Sequence, residues 1–224
     1  MAPSLVFILL VWLFIRHSAI SPGRSGTAAG LDVLVERIPN TEATAEFPFK
    51  KVPRPDAPGS VRSARFSLVT GGQDVNGARV EKLPRGYLPT EPDDPRRNFF
   101  FSDGSYGGRI LVDLNEAIIV QQVNTYSWHT TPRAPQLYKL YAGIGTPDGP
   151  PDGSNDLLAS GWKLLASVDT RPSVGEPAGQ YGVSITARSG SIGVYRYLLF
   201  DCKRTEDVDR WGNTFFSEID VVAK

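Results

Sequence analysis

Residues Gly107–Trp128 read GGRILVDLNEAIIVQQVNTYSW, and this stretch decides the fold. Ile110, Val112 and Leu114 recur at period two, which predicts a half-buried strand. A second predicted strand runs over Val123 to Trp128. Outward from this pair the same alternation returns at Leu31, Val33 and Val35, and again at Ala64, Phe66 and Leu68. It returns once more at Leu137 to Ala142. Trp162, Leu164, Ala166 and Val168 are predicted to share one side of a strand, followed by Tyr181, Val183 and Ile185 on another. Tyr195 to Phe200 and Ser217 to Val222 complete about nine short strands.

Gly, Pro, Asn or Asp bounds every one of these runs. With 22 Gly and 18 Pro in 224 residues, helix-breaking residues interrupt nearly every helical window. The expected fold is therefore all-β, an antiparallel β-sandwich closed as a jelly roll, and a parallel α/β fold is disfavoured.

The N-terminal residues differ from the rest. Leu5 to Ile15 (LVFILLVWLFI) is an apolar run shorter than the roughly twenty residues that a membrane-crossing helix needs. Small residues at Ser18-Ala19 and Thr27-Ala28-Ala29 follow it, as at a signal-peptidase site. Residues 1–29 are read as a signal peptide or, because MAPS lacks a cation and Arg16 follows the run, an uncleaved N-terminal anchor. The expected location is secreted or extracytoplasmic, at the cell surface or in the periplasm, with membrane contact only through that segment. Residues 30–60, which carry five prolines in PNTEATAEFPFKKVPRPDAPGS, are read as an extended connector or the first strand of the sandwich. Residues 61–224 are assigned to the sandwich domain.

Charge and motif content exclude several function classes. There are 24 basic and 24 acidic residues, no long like-charge run, and so no electrostatic footprint for nucleic acid. Cys202 is the only cysteine, which rules out an intramolecular disulfide, and its apolar setting YRYLLFDCK suits a buried thiol. Outside the targeting segment, which contains His17, His129 is the only histidine. One His and one Cys supply neither a zinc site nor a triad, and there is no G-x-S-x-G. Nucleotide-binding glycine motifs are absent too. A small glycoside hydrolase needs only two carboxylates, so that alternative stays open.

What remains is a binding constellation in TYSWHTTPRAP, residues 125–135. Aromatic faces stack on the C–H face of a sugar while Arg, His and Asn hydrogen-bond its hydroxyls. Tyr126 reads as core and Trp128 as either core or platform. His129 and Arg133, which fall between strands, read as ligand-facing. A second loop offers Trp211 and Asn213 beside a charged run, TEDVDR, that reads first as a solvated surface and second as a loop projecting Trp211 beside His129 and Arg133.

Several weak motifs in a fixed order then point to a family. GGRILVDLNEAIIVQQVNTYSW, RAPQLYKLYAG, GWKLLASVDTR, YRYLLFD and the closing FFSEIDVV resemble the discoidin or coagulation factor type C domains of the galactose-binding-like superfamily. The resemblance covers roughly residues 61–222. It implies a jelly roll with ligand loops at one end, no catalysis, and binding of galactosides, other glycans, phospholipid head groups or proteins. Carried over residue by residue, it implies ligand contacts from His129 and Arg133 with Trp128 or Trp211 as platform. It also implies a structural calcium, for which Glu218 fits one half. The other half departs, with Arg85 and Gly86 where Asp-Gly is usual. Asp93 and Asp94, or Asp103, are the candidate substitutes, and the alternative is a metal-free site in which Arg85 pairs with Glu218.

The expected function is an exported, non-catalytic module that binds a glycan or cell-surface polysaccharide. Its alternative is an adhesion or structural module that binds a partner protein or a lipid surface.

Overall fold

The computed structural model describes residues 25–55, 58–85, 88–130, 133–172 and 179–224. The Leu5–Ile15 run and the proposed cleavage site at Ser18-Ala19 lie outside the described residues. No helix among the described residues is long and apolar enough to cross a membrane.

Among the described residues nine strands form in chain order. They are β1 (Gly26–Thr27), β2 (Leu31–Pro39), β3 (Arg65–Thr70), β4 (Gly108–Trp128), β5 (Leu137–Gly143), β6 (Lys163–Asp169), β7 (Gly179–Ala187), β8 (Gly193–Cys202) and β9 (Glu218–Ala223). One short 3-10 helix, η1 (Val80–Arg85), interrupts the connection from β3 to β4. Every strand pairing among the described residues is antiparallel, and the fold is an all-β sandwich.

The stretch expected to hold two strands is a single element of 21 residues. Its first half pairs with β3 and β8, and its second half pairs with β7 and β9. Asn115 adopts φ 72° at the join, and the register against β8 shifts between Asp113 and Ile118. An Asn tolerates the left-handed region better than most residues, and a bulge bends a strand without ending it. β4 thus passes from one layer of the sandwich to the other. Between the layers lies the core, in which Phe66, Ile110, Val112, Leu140 and Phe200 of one layer meet Val123, Val183 and Ile219 of the other.

A bulge also corrects the expectation for β6. The pairing with β5 slips between Leu140 and Tyr141, so Leu165 and Ala166 both join the main core. Trp162 and Leu164 are diverted to a second apolar cluster with Tyr141, Tyr197 and Leu199. Period two predicts one face for all four residues only where no extra residue intervenes.

Residues 31–39 are a strand, paired along their whole length with β7. Residues 40–55 then cross the outer face of β4 as a strap. Glu36 fastens it, its carboxylate accepting the backbone N–H groups of Lys51 and Val52 at 2.6 Å each. Gln180 Nε2 donates to Thr44 O at 2.6 Å. The strap seats Phe47 and Val52 on Tyr126 and Trp128, making a third apolar cluster outside the main core. Gly182 permits the approach, because a Cβ there would lie 2.7 Å from the Phe49 ring.

Candidate functional site

Both ends of β4 lie in one loop cluster. Gly107, just before its start, donates its N–H to Asn213 Oδ1 at 2.8 Å, while Tyr126 near its end accepts from Ser217 N at 2.7 Å. The residues between, Lys203 to Ser217, form the β8–β9 loop that spans the two ends of β4. Arg204 folds this loop over itself, donating to Glu206 O at 3.2 Å and Ser105 O at 3.1 Å. Glu206 in turn accepts the N–H groups of Val208 and Asp209 at 2.7 and 2.9 Å. A charged run that reads as solvated surface is therefore largely internal bracing for a turn.

The turn presents Trp211, which is 36% exposed. Its indole Nε1 donates to Asp74 Oδ2 at 3.2 Å, and the guanidiniums of Arg133 and Arg210 lie 5.3 and 5.1 Å from its ring centre. Both are within cation–π range. Arg133 Nε donates to Asp209 Oδ2 at 2.8 Å, and Arg210 pairs with Asp103. Asp209 is held below the usual carboxylate range, first by the Trp211 N–H it accepts and then, against its partial burial, by Arg133. It stays ionised, the reverse of what a general acid requires.

The other nominated residues have different roles. Trp128 is 3% exposed, edge-on to Phe47 at 5.8 Å, with its Nε1 bonded to Asn40 Oδ1 at 2.9 Å. That burial beneath the strap removes it as a platform, a correction to one of its two readings. Asn213 is buried as well, its amide donating to Ser105 Oγ at 3.0 Å while its oxygen holds Gly107. Gly107 has φ 85°, and a Cβ there would meet Cys202 O at 2.1 Å, so Asn213 fixes a backbone position that only Gly can occupy. Both of its amide atoms serve the fold.

His129 is only 2% exposed, its ring edge-on to Phe215 at 5.9 Å and its Nε2 3.1 Å from Asp93 Oδ1. Burial lowers its pKa, outweighing the opposing pull of Asp93. That burial corrects its reading as a ligand-facing residue; it acts on the patch only through the charges of Arg133 and Asp209, which it senses.

The four acidic residues offered for calcium are dispersed. Asp93 faces His129, Asp94 lies 3.3 Å from Arg97, and Asp103 pairs with Arg210, while Glu218 is buried at the start of β9. No group of three or more metal-ligating side chains converges among the described residues.

The sequence reading missed Asp74, Asp209, Arg210 and the bracing Arg204. Their only sequence signal is the density of charge just before Trp211. Asp74 has none, because it comes from the distant β3–η1 connection. The same end of the sandwich exposes Val75, Tyr106 and Val208, with Arg204 5.4 Å from the Tyr106 ring centre.

No family model matches the chain, and no curated protein matches its sequence. Among solved structures, a SusE-like protein is similar at 14% identity, with a TM-score of 0.51 over 74% of this chain and 66% of that one. The family 32 carbohydrate-binding module of Clostridium perfringens NanJ, in complex with galactose, is 12% identical with a TM-score of 0.44, covering 84% of this chain and 98% of that one. The lectin domain of lectinolysin, complexed with Lewis b antigen, is 14% identical with a TM-score of 0.45, covering 73% and 95% respectively. At this identity, what the chain shares with the SusE-like protein is the fold.

Proposed function

We propose that this chain is a non-catalytic carbohydrate-binding module whose ligand lies on the loop patch around Trp211. The observation that carries the reading is the setting of that indole, a partly exposed ring flanked by Arg133 and Arg210 with Asp74 and Asp209 beside it. The exposed part of the ring offers a stacking surface, the guanidiniums offer donors to sugar hydroxyls, and the carboxylates offer acceptors. The ordered motifs of the sequence and the all-β sandwich support the same conclusion. Export through the Leu5–Ile15 run is part of the proposal.

A glycan array on the full chain tests it. Binding is expected for the unaltered protein and lost in a Trp211→Ala, Arg133→Ala double variant that still unfolds cooperatively. Equal array signals from the two proteins sink the assignment.

One observation favours a second reading, a module that docks on a lipid or protein surface. Val75, Tyr106 and Val208 are 94, 84 and 99% exposed at loop tips beside Trp211, as insertion into an apolar layer requires. Sedimentation with phosphatidylcholine–phosphatidylserine vesicles discriminates. Cosedimentation that a Tyr106→Ala, Val208→Ala variant abolishes, together with a blank array, selects the second reading.

A further inference from the structure

A cavity of about 230 Å³ opens between η1 and the loop that precedes Asn98. Arg79 and Lys82 contribute from one side, Arg96 and Arg97 from the other, over a floor of Ala78, Leu83 and the Ser217 residue. The first pair shares a side for a geometric reason. Lys82 N donates to Arg79 O at 2.9 Å, and residues three apart eclipse on a 3-10 turn.

The opposite wall is built in advance. Ala78 N donates to Asn98 O at 2.8 Å, Asn98 Nδ2 donates to Asp94 O at 3.0 Å, and Ser217 Oγ donates to Asn98 Oδ1 at 2.7 Å. Arg97 Nη1 also bonds Leu88 O at 2.8 Å.

Charge is unbalanced here although the chain as a whole is neutral. Arg79 pairs with Glu81 at 3.1 Å and Arg97 with Asp94 at 3.3 Å. Lys82 and Arg96 have no carboxylate partner among the described residues, so two uncompensated cations line one small cavity. Such an arrangement focuses positive potential on whatever enters. The volume lies below the roughly 300–1,000 Å³ of sites that enclose a whole drug-sized ligand. It suits a single charged substituent.

We infer that this cavity is an oxyanion subsite, taking a sulfate ester or carboxylate carried by an acidic glycan. The inference rests on the carbohydrate-binding reading for the source of the anion, but not on the Trp211 patch for its chemistry. The loop that supplies Asp93 to His129 also supplies Arg96 and Arg97 to the cavity. Guanidinium groups bind such anions with paired, charge-assisted hydrogen bonds, and the ammonium of Lys82 adds a point charge.

Calorimetry on the full chain with a sulfated galactan, the same galactan after desulfation, and polygalacturonate tests the subsite. A Lys82→Ala, Arg96→Ala variant removes the two exposed cations that have no carboxylate partner among the described residues. A Lys139→Ala, Lys163→Ala variant removes the same charge from β5 and β6. The expected result is binding of one or both charged polymers about tenfold tighter than the neutral one, an excess lost in the first variant and kept in the second. Preference for the sulfated galactan alone assigns a sulfate ester, preference for polygalacturonate alone a carboxylate, and preference for both an oxyanion site of either kind. Equal affinities for charged and neutral polymers overturn the inference, as does an excess that survives in the first variant or falls equally in both. If the charged polymers bind through Lys82 and Arg96 while the neutral one does not bind, the subsite stands and the Trp211 proposal fails.

Discussion

Trp128 and Trp211 are the two indoles that the sequence offers as sugar platforms, and the molecule uses them in opposite ways. Trp128 ends the long strand β4, and its indole lies under a strap formed by residues 40–55, against Phe47. Trp211 sits on a turn braced from below by Arg204 and Glu206, and it remains 36% exposed among the described residues. Each makes one hydrogen bond through Nε1, to Asn40 and Asp74 respectively. Hydrogen bonding therefore does not distinguish them. What distinguishes them is whether a distant segment covers the ring, and an aromatic residue becomes core or contact surface on that basis alone.

The sharpest way to break the comparison is to truncate both rings. Trp128→Ala should cost about 3–5 kcal/mol, since the strap cannot collapse into the space of a lost indole. Trp211→Ala should cost about 1 kcal/mol or less, the scale of partly exposed cation–π contacts. Urea titrations of the two variants measure this. Similar losses would mean that the strap does not protect Trp128 in solution.

A smaller effect is expected at the support beneath Trp211. Asn213→Ala leaves the Gly107 N–H without its acceptor in a buried position, which costs about 1–3 kcal/mol. The same variant should weaken glycan binding through the turn it disorders. Asn213→Asp keeps the acceptor oxygen and should recover part of the stability, which thermal unfolding can follow.

Smaller again is the Arg133 to Asp209 pair, which is partly exposed at both side chains. Arg133→Ala should change stability by about 0–1 kcal/mol while lowering glycan affinity, so a binding assay and a melting curve on one variant should disagree. A fall in stability as large as that of Asn213→Ala would recast Arg133 as part of the scaffold.

The last effect is a slope rather than a step. Burial lowers the His129 pKa in the folded state, so between the folded and unfolded values the unfolded chain holds more protons. Stability is full above the ordinary histidine value near 6.5, falls as the pH drops through it, and levels off below the folded pKa. Urea midpoints across that range should show the decline, and His129→Gln should flatten it. A rise in stability on acidification would mean that the Asp93 contact outweighs burial.

Much of the fold was legible, because it rests on alternation that each strand carries locally. Leu31, Val33 and Val35, or Tyr181, Val183 and Ile185, mark their strands without reference to any partner. Bulges were not legible. The slip at β6 and the bend at Asn115 depend on how neighbouring strands meet, and neither leaves a periodic trace.

The candidate site was legible in part. Arg133 and Trp211 were named from residue type and loop position, and they do lie together. Trp128 and Asn213 were named on the same grounds and are buried, while Asp74 and Asp209 went unnamed. Residue type states what a side chain can do once it is exposed. It does not state what will cover it.

The sequence by itself determined the all-β class, the positions of most strands and the neutrality of the chain, because these follow from local periodicity, Gly and Pro placement, and composition. Only the tertiary structure decided that residues 40–55 would cover Trp128, that the charged β8–β9 turn would brace itself around Trp211, and that two cations without carboxylate partners among the described residues would share a cavity with Arg79 and Arg97. Those outcomes depend on contacts between segments far apart in the chain, whose closure is set by strand order and register rather than by any local pattern.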